Sequence, residues 1–130
     1  MLNRLTNQTR KQKGDEGEAL ACQYLQEQGL ELVTTNFTSK FGEIDLIMND
    51  AQRGNLVFIE VRYRKNNQYG GAAISVTPKK QRRIIKTALY YMQRHAPHTA
   101  ARFDVVAIEG NINNSIQGKN TINWIIDAFQ

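Results

Sequence analysis

Residues 56–64, LVFIEVRYR, constrain the fold more than any other part of the chain. The stretch is β-branched and aromatic, a composition that suits a pleated strand. Just before it, residues 42–48 (GEIDLIM) alternate Glu43, Asp45 and Ile47 against Ile44, Leu46 and Met48. That two-residue period is again a strand's. The intervening NDAQRGN is rich in turn-forming residues, so the two strands are expected to form a hairpin. Val57, Ile59 and Val61 are expected to face the core, with Phe58, Glu60 and Arg62 on the opposite side.

The other elements arrange themselves around this hairpin. Residues 15–28 read as a helix stopped by Gly29, and residues 31–36 as a short strand. Thr77 offers an N-cap and Pro78 suits the first helical position of a second helix, which runs to about Arg94. Its apolar stripe is Ile84, Ile85, Ala88, Leu89 and Met92. Residues 102–109 and 121–126 read as strands, and residues 65–76 and 110–119 as loops. The order is α-β-β-β-α-β-β, an α/β domain with a mixed sheet flanked by helices. A chain of 130 residues, 41% of them hydrophobic, suits one domain with its own core, here residues 14–130. Residues 1–13 have no hydrophobic period and are expected to form a flexible basic arm.

Several classes drop out. No apolar run approaches the ~20 residues of a membrane-spanning helix, and the polar N-terminus lacks the apolar stretch of a secretory signal. The single cysteine, Cys22, excludes an internal disulfide framework and a multi-cysteine zinc site, which fits a reducing cytoplasm. His95 and His98 lack the further ligands a metal would need. Trp124, alternating with Ile122 and Ile126, reads as a core residue. Tyr63 and Tyr69 flank the basic loop, where they suit either packing or base stacking.

The charge is segregated. Lys and Arg number 17 against 12 Asp and Glu, a net charge of +5. Residues 1–14 hold Arg4, Arg10, Lys11 and Lys13 and no acid. Residues 62–83 hold Arg62, Arg64, Lys65, Lys79, Lys80, Arg82 and Arg83, again with no acid. Clustered basic charge favours an anionic partner, nucleic acid above all, over a merely solvated face.

Three carboxylates stand where carboxylates are unusual. Glu18 shares a helical face with Ala21, Cys22 and Leu25. Asp45 and Glu60 lie inside consecutive strands, where acids are depleted. If those strands pair, the two charges approach on one face and repel. A divalent cation between them would relieve this, and oxygen ligands without His or Cys point to Mg²⁺ or Mn²⁺. Lys79, Lys80, Arg82 and Arg83 crowd a helix N-terminus, the end where the helix dipole disfavours cations. A phosphate would relieve that conflict and meet free N–H groups.

With these residues in view, the chain resembles the bacterial YraN family. The resemblance rests on GDEGE (Gly14 to Glu18), FGEIDLI (Phe41 to Ile47), VFIEVRYR (Val57 to Arg64) and the Lys80–Gln81 region, and spans about residues 13–129. The family looks like a branch of the PD-(D/E)xK nuclease superfamily, near the archaeal Holliday-junction resolvases. The resemblance implies a restriction-endonuclease-like fold. It also implies catalytic roles for Glu18, Asp45, Glu60 and Arg62, and a basic residue on the second helix at Lys80. Ile44 stands where the eponymous motif has proline, and Arg62 where the superfamily usually has lysine. Arginine stays protonated, so Arg62 is expected to act electrostatically and not as a base.

These readings converge on a metal-dependent nuclease acting on DNA. Asp45 and Glu60, with the Val61 carbonyl, are expected to hold Mg²⁺ or Mn²⁺, and Arg64, Lys65, Lys80 and Arg83 to contact nucleic acid. Branched DNA follows from the resemblance to junction resolvases, and a homodimer would match a two-fold junction. The alternatives are a nucleic-acid-binding module of nuclease fold without turnover, which Arg62 motivates, and a protein-interaction domain for an acidic partner.

Overall fold

The computed structural model describes the backbone of residues 2–64, 76–110 and 121–130, and the side chains among these from Gly14 onward except Arg64. The first helix, α1 (Leu2–Glu27), ends with a glycine in a left-handed conformation: Gly29 has φ +102°. Gly29 N–H donates to Gln26 O at 3.0 Å and Leu30 N–H to Leu25 O at 3.0 Å, which together make a Schellman closure. Leu25 and Leu30 are both buried in one apolar cluster, so the same turn fixes the exit into β1 (Glu31–Ser39). The helix begins at Leu2, within the stretch the sequence suggests as an arm. No Pro or Gly precedes Gly14, so nothing there interrupts helical hydrogen bonding.

Strands β2 (Gly42–Asp50) and β3 (Asn55–Arg64) form the expected hairpin. Its turn closes with Gly54 N–H donating to Asp50 O at 2.8 Å and Arg53 N–H to the Asp50 carboxylate at 3.2 Å. Helix α2 (Pro78–His95) starts at the predicted cap, where Thr77 Oγ1 accepts from Lys80 N–H at 3.2 Å. Strands β4 (Ala100–Glu109) and β5 (Thr121–Phe129) complete a five-stranded sheet ordered β1-β2-β3-β4-β5. Among the described strands only β3 and β4 run parallel, with α2 as the crossover such a pair requires. The chain thus has an α/β fold with a mixed sheet, in the order and form of a restriction-endonuclease-like core. The expected loops at 65–75 and 111–119 lie outside the described residues.

A core lies on each face of the sheet, and this corrects the expectation that one face of β3 holds it alone. Ala21 and Leu25 of α1 cover Leu46, Met48, Val57 and Ile59. Ile84, Ala88 and Tyr91 of α2 cover Ile47, Phe58 and Val105 on the other face. The strict alternation expected of β2 also breaks. Ile44 packs with the α2 cluster, whereas Leu46 and Met48 pack with the α1 cluster. Asp45 stands at the break. Across from it in the β1–β2 register is Asn36, whose φ of +52° interrupts the partner strand.

Candidate functional site

The β2–β3 ladder stops at Leu46↔Ile59. Beyond that pair, β2 continues against β1 alone (Ile44 with Phe37, Glu43 with Thr38), and β3 continues against β4 (Glu60 with Val105, Val61 with Val106). The sheet therefore splits one residue before Asp45 and Glu60. The Asp45 carboxylate bridges the split, accepting from Val61 N–H at 2.8 Å where a ladder bond would otherwise run. A strand residue's N–H and C=O point the same way, so the Val61 carbonyl also faces this notch.

Glu60 is only 5% exposed. Its Oε1 lies 3.1 Å from Lys80 Nζ and 3.8 Å from the Arg62 guanidinium. The α2 N-terminus thus meets a protein carboxylate, which offsets part of the charge conflict read from the sequence. Burial first, then the nearby Glu60 charge, push Asp45 up to about 7, against the pull of the Val61 N–H; Glu18 adds to the push and Lys80 opposes it. Glu18, half-buried on α1, is also raised by burial; a hydrogen bond with Asn36 opposes the shift, and Asp15, Glu43 and Glu60 add to it. Acids from α1, β2 and β3 and a cation from α2 therefore share one electrostatic environment. The oxygens facing the notch are hard donors. Among the described residues no three His, Cys, Asp or Glu side chains converge on one point, so a cation there would take two carboxylates, a backbone carbonyl and waters.

Beside the notch lies a cleft of about 550 Å³ between the β1–β2 turn and the start of α2. Lys79, Lys80 and Arg83 line it, with Glu43 as an acid on its rim. Of the other basic residues named from the sequence, Lys65 lies outside the described residues and Arg64 is placed by backbone only, at the end of β3. The remaining candidates resolve into packing. Cys22 is half-buried and its thiol is raised by burial, against a nucleophilic role. Tyr63 donates to Gly110 O at 2.8 Å. Tyr69 lies outside the described residues.

One polar constellation escaped the sequence reading. At the far end of the sheet, Arg102 grips Asp104 with two hydrogen bonds (2.9 and 3.0 Å) and reaches Asp50 at 3.0 Å. Asp104, with no exposed surface, also accepts from Trp124 Nε1 and Asp127 N–H, each at 2.9 Å. Trp124 is thus half-buried with a polar task. The signal was an aspartate inside an apolar strand, RFDVVAI, the same signal as at Asp45. Here Arg102 lies between the two carboxylates and N–H donors meet Asp104 as well, so the network is structural.

Residues 17–108 match a family described as uncharacterised protein family UPF0102. The chain belongs to this family. A UPF0102 protein of Nitrosococcus oceani is 48% identical over 124 residues, covering 94% of each chain. A UPF0102 protein of Vibrio vulnificus is 48% identical over 124 residues, with 93% of this chain and 94% of the relative covered. One from Coxiella burnetii is 47% identical over 119 residues, or 90% and 91%. The UPF0102 match spans the notch, the cleft and both helical partners of the site. Among the described residues no helix is long and apolar enough to cross a membrane.

Proposed function

We propose that this UPF0102 chain is a metal-dependent nuclease that hydrolyses phosphodiester bonds in DNA. The observation carrying the reading is the split end of the β2–β3 ladder, where Asp45 and Glu60 meet beside Lys80 and Arg62. Two adjacent carboxylates, one pushed up to about 7, suit a divalent cation, since such a charge offsets both burial and mutual repulsion. The donor set of Asp45, Glu60 and the Val61 carbonyl fits Mg²⁺ or Mn²⁺. When bound, the ion supplies Lewis-acid polarisation of a phosphoryl oxygen and a more acidic water. The protein's own groups do the rest. Asp45 is fixed by Val61 N–H and Glu60 by Lys80, so neither carboxylate needs to reorganise. Glu18 approaches from α1 and orients water. Arg62, always charged, stabilises developing phosphate charge, and Lys80 and Arg83 hold flanking phosphates.

A second reading is a binding module of the same fold without turnover. Arg62 and Lys80 already neutralise Glu60, and no lysine base stands at position 62. The deciding experiment is a cleavage panel in Mg²⁺ and Mn²⁺ over duplex, single strand, flap and four-way junction, with Glu60→Gln alongside. Metal-dependent cleavage that the variant reduces by about 10³-fold supports the nuclease. Equal cleavage by both proteins assigns the activity elsewhere, and tight binding with no cut by either selects the module.

A further inference from the structure

A second groove, of about 500 Å³, continues past the basic cleft along α2 and is lined by Lys40, Phe41, Lys86, Leu89, Tyr90 and Gln93. The two are joined. The β1–β2 turn borders both, with Ser39 and Gly42 on one side and Lys40 and Phe41 on the other. On α2, Lys79, Arg83, Lys86 and Tyr90 follow at helical spacing down one face. From Lys80 to Tyr90 the helix rises about 15 Å.

The groove has an unusual composition for a free surface. Phe41 is 36% exposed at a turn and Leu89 58% exposed on the helix. Phe41 meets Tyr90 edge-on, with centroids 6.1 Å apart and planes at 66°. Cations attend both rings: the Arg94 guanidinium lies 4.4 Å from the Tyr90 centroid and Lys40 Nζ 5.3 Å from that of Phe41. Among the described residues no carboxylate lines it. Apolar rings set among cations suit a ligand with flat apolar faces and regularly spaced negative charge. A paired duplex hides its base faces, whereas an unpaired strand exposes them.

We infer that this groove is a base-stacking subsite for a single-stranded stretch of nucleic acid, with Phe41 as the platform and Lys40 and Lys86 on the phosphates. The inference rests on the nucleic-acid reading of the neighbouring notch and specifies its substrate: a strand unpaired on the α2 side of the scissile bond. The test measures binding by fluorescence anisotropy without divalent metal, using labelled oligothymidine and a hairpin duplex of equal charge. Phe41→Ala is expected to weaken single-strand binding about tenfold and duplex binding less than twofold. Phe41→Trp is expected to restore affinity, and its added fluorescence to be quenched by the single strand and not by the duplex. Equal loss on both ligands, no loss on either, or an unquenched tryptophan overturns the inference. Its failure is separable from that of the nuclease reading. Phe41-dependent binding without metal-dependent cleavage leaves the subsite standing, and Glu60-dependent cleavage indifferent to Phe41 leaves only the nuclease.

Discussion

Asp45 holds its charge at a cost to the fold. Burial and Glu60 raise it from 3.8 to about 7, so between those values the folded chain keeps a proton that the unfolded chain releases. Its contribution to stability is therefore full below about pH 4 and is lost as pH rises through about 7. Asp45→Asn keeps an acceptor for Val61 N–H and removes the charge. By thermal melts, the variant should exceed the wild type by about 2–6 °C at pH 8, and the gap should narrow as pH falls and close near pH 4. Millimolar Mg²⁺ should raise the wild-type midpoint at pH 8 and leave the variant's unchanged. Asp45 and Glu60 were legible because strands rarely hold interior acids. The Arg102–Asp104–Asp50 network carries the same signal without showing its completion, because Asp50 and Trp124 lie far from Arg102 and Asp104 in sequence and meet them only across the sheet. Arg102→Leu would leave the buried Asp104 carboxylate without its cation and Asp50 with Arg53 alone. It should lower unfolding free energy by about 3–5 kcal/mol in denaturant titrations, far beyond an exposed arginine's effect.

At the scale of elements, the β1–β2 turn and α2 make the clefts together. Gly42, at φ +148°, sits where a Cβ would lie 3.5 Å from Thr87 Oγ1 and 3.6 Å from Arg83 Cβ. The space is adequate, and the backbone conformation is what excludes other residues. Gly42→Ala should cost about 1–3 kcal/mol of stability by urea midpoint. The start of α2 was legible from Thr77 and Pro78, and the end of α1 from Gly29, because capping chemistry is local. The break of alternation at Asp45 was not, because it depends on Asn36 in the neighbouring strand. The start of α1 was also hidden, since residues 2–13 lack the apolar stripe by which a helix announces itself.

For the whole molecule, the element order could be read but not the layering. A sheet buried on both faces shows mixed periods, and only the pairing register tells which residues face which helix. The net charge of +5 acquires a direction in the fold, with Lys79, Lys80, Arg83 and Lys86 along one side of α2. If those four groups contact a single strand, log affinity should fall with log salt at a slope of about −3, or about 60-fold from 50 to 200 mM. Anisotropy titrations across salt read this slope, and a flat response contradicts nucleic-acid binding. The split in the sheet has a consequence for how the protein avoids its own kind. Where β2 and β3 part, each strand presents an inner edge able to accept a foreign strand, the template from which aggregates grow. Inward-pointing charge is the usual guard against such pairing, and at this opening that guard is the Asp45 and Glu60 pair itself.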